Sequence, residues 1–236
     1  MLVPVGTPTT ATGGTTAVSI SRANVTPGAG LVLTMTWFQT VVTALPLPVD
    51  SQGQTVTVAK APTPTGPAST VYMVTGSWVI PASLPGTHTF TVTIPGGTGR
   101  WHASILEVAG MNLSPVDTSN SNNGTTAQTQ SPGSTTPSQP NELAVACVCV
   151  DSSTGFANIG ITDPPTNFTS LLVSENTSTD LGAEHCYRIK TTAAAENPTW
   201  TWTDSGTVLT QSQIVFFKAA PAWPAFRGKT NTLLRM

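Results

Sequence analysis

Charge is what this sequence has least of. Asp, Glu, Lys and Arg make up 8% of its 236 residues, against about 25% in an ordinary soluble domain. Eleven acids and nine bases leave a formal net charge of −2, with no field able to hold a polyanion along the molecule, so nucleic acid is not an expected ligand. Cysteine is equally scarce. Cys147, Cys149 and Cys186 are odd in number, and the two that stand two apart have side chains that run parallel in a strand, near the outer limit of disulfide reach. They read as buried thiols acting as small hydrophobes. No run approaches the roughly eighteen apolar residues of a membrane span. The start, Met1-Leu2-Val3-Pro4, has neither the basic residues nor the apolar stretch of an export signal, so the expectation is a soluble product assembled inside a cell, with no membrane partner. Helical periodicity is missing as well, apart from the short Thr192-Ala193-Ala194-Ala195-Glu196, which reads as a turn.

The stock of catalytic groups is correspondingly thin. The three histidines, His88, His102 and His185, never recur at metal-ligand spacing. In Glu184-His185-Cys186, strand alternation sends the outer two residues to one face and His185 to the other, which opposes a shared metal site. Asp151, Asp163 and Glu175 sit at strand ends and in loops, where acids start turns far more often than they pair across a cleft. There is no G-x-S-x-G elbow, Walker A loop or EF-hand pattern. Gly96-Gly97-Thr98-Gly99-Arg100 joins two strands and opens no helix, so it reads as a hairpin turn and not as a phosphate cradle. The expectation is a chain without catalytic residues, cofactor or metal.

What is present is Thr, Ser, Asn, Gln and Gly. Thr is β-branched, suits a pleated strand and keeps a hydroxyl in water, so solubility rests on hydroxyls. Such a nearly neutral surface also packs against copies of itself without self-repulsion. Alternating β-prone segments occupy Ala17 to Val25, Leu31 to Thr40, Thr55 to Ala61, Val71 to Ile80, Thr87 to Ile94 and Trp101 to Val108. A second series runs through Glu142 to Asp151, Thr169 to Glu175, Leu181 to Thr192, Thr199 to Thr203 and Val208 to Lys218, with Pro and Gly turns between. The fold expected is all-β, a two-sheet antiparallel sandwich over residues 17–220, jelly-roll-like, with extended N- and C-terminal arms at 1–16 and 221–236. The polar stretch from Asn112 to Asn141 reads as a domain linker or as a long crossover within one sandwich, carrying a short edge strand near Thr125 to Gln130. The size argument favours the crossover. A weak internal echo joins the halves. Tyr72 leads to Thr89-Phe90-Thr91-Val92-Thr93 and on to Ala103 through Val108, as Tyr187 leads to Thr199-Trp200-Thr201-Trp202-Thr203 and on to Gln213 through Phe217.

Two places stand out as candidate sites. Trp200 and Trp202 share one face of a short strand, so they either fill the core or form a solvent-facing pair able to stack on sugar rings. The segment from Pro221 to Met236 carries three of the nine basic residues and no acid. Its prolines prevent continuation of a strand, while Trp223, Phe226, Leu233 and Leu234 are too apolar for an idle tail. It either folds back on its own body or docks on a neighbouring subunit, aromatic anchors first, with Arg227, Lys229 and Arg235 pairing with acids.

Three motifs taken together, Gly86-Thr87-His88-Thr89-Phe90-Thr91-Val92-Thr93, then Ala103 to Gly110 running into Pro115-Val116-Asp117, then Asn141-Glu142-Leu143-Ala144-Val145-Ala146, carry a resemblance. Over roughly residues 17 to 220 the chain resembles the Thr/Ser/Gly-rich β-sandwich structural proteins of tailed bacteriophages. The resemblance implies a jelly-roll-like sandwich and a virion structural role, with no catalytic residues to carry over. The resulting expectation is a capsid decoration or head-associated subunit, assembled in the host cytoplasm, partnered by capsid or other virion proteins and by copies of itself. The alternative is a carbohydrate- or receptor-binding module of a tail fibre or secreted enzyme, with surface glycans as partners.

Overall fold

A computed structural model describes residues 1–39, 46–65, 72–124, 128–152, 161, 164–176, 181–203 and 207–221. The described residues contain no helix. In chain order the strands are β1 (Val3–Pro4), β2 (Thr9–Gly13), β3 (Ala17–Val25), β4 (Gly30–Gln39), β5 (Val49–Asp50), β6 (Thr57–Thr65), β7 (Tyr72–Ile80), β8 (Gly86–Thr93) and β9 (Gly97–Ala109). They continue with β10 (Met111–Gly124), β11 (Thr129–Gln130), β12 (Glu142–Ser152), β13 (Thr169–Asn176), β14 (Leu181–Lys190), β15 (Trp200–Thr201) and β16 (Thr207–Ala219). Each β-prone segment read from the sequence reappears, with ends shifted by a few residues.

The protein is an all-β sandwich of antiparallel sheets, but it has four layers where the sequence suggested two. One large sheet has the order β1-β9-β4-β7-β6, with β2 also on β9, and the other has the order β10-β16-β12-β14-β13. The small sheets are β3-β8-β5 and β11-β15. The reason lies in the central strands. All ten residues of β4 are buried, and the run Leu143 to Val150 in β12 is buried on both faces. A strand apolar on both faces needs cover on both sides. On one face of β4, Leu31, Leu33, Met35 and Trp37 pack with Val18, Ile20, Phe90 and Val92 of the small sheet β3-β8-β5. On one face of β12, Ala144, Ala146, Val148 and Val150 pack under Trp200 and Trp202. The opposite faces meet each other, where Val32, Val79, Leu106 and Val108 pack against Leu143, Val145, Val215 and Phe217.

Residues 1–109 and 111–219 therefore repeat one topology. In the first, taking β2 to β9 as strands one to eight, the large sheet reads 1-8-3-6-5 and the small one 2-7-4, the connectivity of a jelly roll with its fifth strand moved to the edge of the large sheet. In the second, β10, β11, β12, β13, β14, β15 and β16 take positions 1, 2, 3, 5, 6, 7 and 8, and the sheets read 1-8-3-6-5 and 2-7. The pair formed by strands five and six is irregular in both repeats, with register shifts at Val58/Lys60 and Ser170/Leu172. The sequence echo falls on equivalent strands: Tyr72 and Tyr187 on strand six, the Thr-rich motifs on strand seven, Ala103–Val108 and Gln213–Phe217 on strand eight.

Two expectations about connections need correction. The N-terminal stretch 1–16, by its sequence an extended arm or a loosely attached first strand, is paired as strand: Val3 and Pro4 pair with Ala109 and Val108, and Thr9 to Gly13 pair with Ile105 to Trp101. The stretch 112–141 is not a plain crossover. Its first part is β10, which runs along β16 from Met111 to Gly124, and β11 at Thr129–Gln130 then joins the second small sheet. Thr, Ser and Asn fill β10 because it is an edge strand with a half-exposed face, which is why no apolar alternation betrayed it. A single residue, Gly110 at φ 78°, links the repeats. A side chain there would run into the Met1 carbonyl, so both the left-handed backbone and the close approach require glycine.

Candidate functional site

The middle of the interface between the large sheets is polar. Strand alternation turns His185, on β14, toward the first repeat, where its Nδ1 lies 2.9 Å from Ser104 Oγ and its Nε2 3.4 Å from Thr36 Oγ1. Gln213 donates from Nε2 to Ser77 Oγ at 2.6 Å. His102 is buried there with no partner for Nδ1. Burial lowers the pKa of His102 to about 4, and burial with the neighbouring His102 lowers that of His185 to about 3. Two neutral rings are thus held between the repeats. Cys147 on the same face of β12 is buried and its thiol pushed up by that burial, as is Cys149. These thiols are not activated nucleophiles. Glu184 and Cys186 face the other way, as alternation required, and no group of three His, Cys, Asp or Glu side chains among the described residues is placed to hold a metal ion.

Elsewhere the titratable groups are committed to structure. His88 places Nδ1 3.0 Å from Asp50 Oδ1, both side chains buried in the first repeat, and Nε2 2.9 Å from the carbonyl of the exposed Leu84. Both ring nitrogens are thereby occupied. Arg22 on β3 donates to both the Glu107 carboxylate, at 2.9 and 3.0 Å, and the carbonyls of Val5 and Thr7, stapling the N-terminal strands to the body. Burial works to raise the pKa of Glu107, but the Thr26 N–H and Arg22 outweigh it and hold the carboxyl below its usual range.

In the second repeat the charges form a row across one end of the large sheet. Asp117 accepts from the Ser138 N–H at 2.6 Å and from its hydroxyl at 2.7 Å, with Lys218 Nζ 3.7 Å away. Burial opposes ionisation of Asp117, yet the Ser138 bonds prevail and lower its pKa. Glu142 beside it is driven the other way, to about 7, by burial and by the Asp117 charge. Further along, Glu196 Oε2 takes Lys190 Nζ at 2.7 Å and Arg188 Nη1 at 2.9 Å. Next to this pair opens a cavity of about 320 Å³ between the turn before β13 and the loop before β15. Sequence reading did not find it. Its residues lie far apart along the chain, and the signal available was Arg188-Ile189-Lys190 followed six residues later by Glu196.

Of the two readings of Trp200 and Trp202, the structure shows the core one and not the sugar-stacking platform. Both indoles do share a face, but it is the inner one: they are 1% and 3% exposed and close the core of the second repeat. The rings cover the apolar row Ala144 to Val150 in one cluster with Ile161 and Phe168. Trp78 and Trp101 are buried as well, and Trp78 stacks on Trp37 with centroids 6.1 Å apart. Trp223, Phe226, Arg227, Lys229, Leu233, Leu234 and Arg235 lie outside the described residues. The last described residues, Ala219 to Pro221, border an open cavity of about 400 Å³ with Met1, Asn112 and Gln139. Among the described residues no helix is long and apolar enough to cross a membrane. Compared with known proteins, the chain matches no family model and no curated sequence.

Proposed function

We propose that the chain is a structural, non-catalytic subunit of a virion, a capsid decoration or head-associated protein that joins capsid proteins and copies of itself through its C-terminal segment. The observation that carries this reading is the division of labour among side chains. Charged groups are paired with one another, Arg22 with Glu107, His88 with Asp50, Lys218 with Asp117, and Arg188 and Lys190 with Glu196. The outward face of the small sheet β3-β8-β5 is left to Ala17, Ser19, Ser21, Thr91 and Thr93, with Leu47 and Val49 exposed beside it. Such a charge-free face tolerates close neighbours at high copy number. The N-terminal strands are tied down by pairing and by Arg22, so the anchoring role falls to residues 221–236, whose aromatic and basic composition suits a docking segment. The alternative as a glycan reader loses the tryptophan surface on which it was expected.

The test is incorporation. A chain ending at Ala220 should keep its far-ultraviolet spectrum and melting behaviour, yet be missing from purified particles when their proteins are counted by mass spectrometry. Truncated chain present at the full-length copy number would refute the docking role.

A further inference from the structure

We propose that the cavity beside Arg188 in the second repeat is a binding site for an acidic saccharide, with the Arg188 guanidinium receiving the sugar carboxylate and the surrounding amides and hydroxyls its ring oxygens. The two repeats treat equivalent loops differently, and that difference is the starting point. In the first, the segment leading into β6 and the loop between β7 and β8 are laced together: Gln54 donates to the Ala82 carbonyl at 3.1 Å and accepts from the Leu84 N–H at 2.9 Å, and Gln52 donates to the carbonyls of Pro85 and Thr87 at 3.2 and 3.3 Å. In the second, the segment leading into β13 and the loop between β14 and β15 stand apart, and the space between them is the cavity of about 320 Å³. That volume lies at the lower end of small-ligand sites, roughly 300 to 1,000 Å³.

The floor of the cavity is built and charged. Arg188 and Glu196 line it, and Lys190, 6% exposed at its side chain and outside the lining, shares one oxygen of Glu196 with Arg188, which leaves a surplus of one positive charge in a protein whose net charge is −2. Glu142, opposite Lys190 on β12, has its pKa raised to about 7 by burial and the Asp117 charge, so near neutral pH it offsets that surplus only in part. The Arg188 side chain is 28% exposed, and beyond the Nη1 bond to Glu196 its fork has four more N–H groups, the geometry that pairs with a carboxylate. The backbone of the Glu196 loop is fixed by a two-way bridge to Thr135, at 3.0 and 2.8 Å, so the site needs little ordering on binding. Its rim is Thr166, Asn167, Asn197 and Thr199, hydroxyls and amides able both to donate to and accept from sugar hydroxyls. A bare oxyanion would use the arginine and leave this rim idle. An acidic sugar uses both.

The experiment is a titration of the full chain, followed by amide chemical shifts, with glucuronate, N-acetylneuraminate, the uncharged analogue glucuronamide, and inorganic phosphate. Saturable shifts at Asn167, Arg188 and Asn197 are expected with the two acids, with glucuronamide and phosphate each weaker by about tenfold or more, the size of one charge-assisted hydrogen bond. Arg188→Gln should weaken the acids by a similar factor, and Arg188→Lys by less. Asn167→Gly, which keeps the left-handed φ of 70° without strain, should weaken them with no change in melting temperature and carries the test should an arginine variant misfold. Equal binding of glucuronamide, phosphate as tight as the acids, unchanged affinity in Asn167→Gly and a folded Arg188→Gln, or no saturable shift with either acid would each overturn the proposal.

Discussion

The two repeats share one connectivity and spend their polar residues differently. In the first, polar side chains lock loops and termini: Gln52 and Gln54 close the β7–β8 loop, His88 and Asp50 sit beneath it, and Arg22 ties Glu107 to the N-terminal strands. In the second, the same positions in the topology hold an open row of charges and a cavity, over a core closed by Trp200 and Trp202. Duplication supplies two copies of a body, and one copy can stay closed while the other varies at its loops, where function concentrates. The faces that meet between repeats also differ from an ordinary core. Their ends are apolar, and their middle is hydrogen-bonded across the seam, His185 to Thr36 and Ser104 and Gln213 to Ser77, with His102 buried beside them. A polar layer of that kind fixes one register between two surfaces that apolar packing alone would let slide.

Removing a core lid should give the largest effect. Trp200→Ala is expected to cost about 3 to 5 kcal/mol, through lost burial and the cavity left over Ala144 to Val150. Arg22→Ala should cost about 3 kcal/mol by leaving the buried Glu107 carboxylate without its ion pair. Denaturant titration measures both, and limited proteolysis locates them. Arg22→Ala alone should open residues 1–13 to cleavage, and if both variants loosen the same strands the repeats are not separate supports.

Acid acts on the seam gradually. His102 and His185 have folded pKa values of about 4 and 3, below the unfolded value of about 6.5. The unfolded chain therefore binds more protons over that interval, and the stability these rings contribute is complete above pH 6.5 and declines as pH falls. The decline continues to about pH 4 for His102 and about pH 3 for His185. His185→Gln should flatten the slope measured by urea unfolding between pH 6.5 and 4.5. An unchanged slope would place the titration elsewhere.

Much of this was legible in the residues. Alternation in Ala17 to Val25 and the apolar runs in Leu31 to Phe38 and Leu143 to Val150 located the inner strands, because burial leaves its pattern in the side chains. Those same runs, apolar on both faces, held the sign of four layers, but a length argument for one domain outweighed it. Strand β10 left no sign, and β1 and β2 showed only as an arm or loosely attached strand, because edge strands of Thr, Ser, Asn and Pro need only backbone pairing. The pairing of Trp200 with Trp202 on one face was readable, whereas the side that face points to depends on what lies above it. Arg188 and Glu196 join across a loop and meet Asn167 from a third segment, a convergence that no spacing along the chain encodes.

The face-to-face packing of two jelly rolls is the claim on which the rest stands, and hydrogen exchange of the full chain at neutral pH tests it most directly. Slowest exchange is predicted in β4, β9, β12 and β16, the central strands of the two facing sheets, with β3, β8, β11 and β15 exchanging sooner. Fast exchange in β4 and β12 alongside protected outer strands would contradict the arrangement.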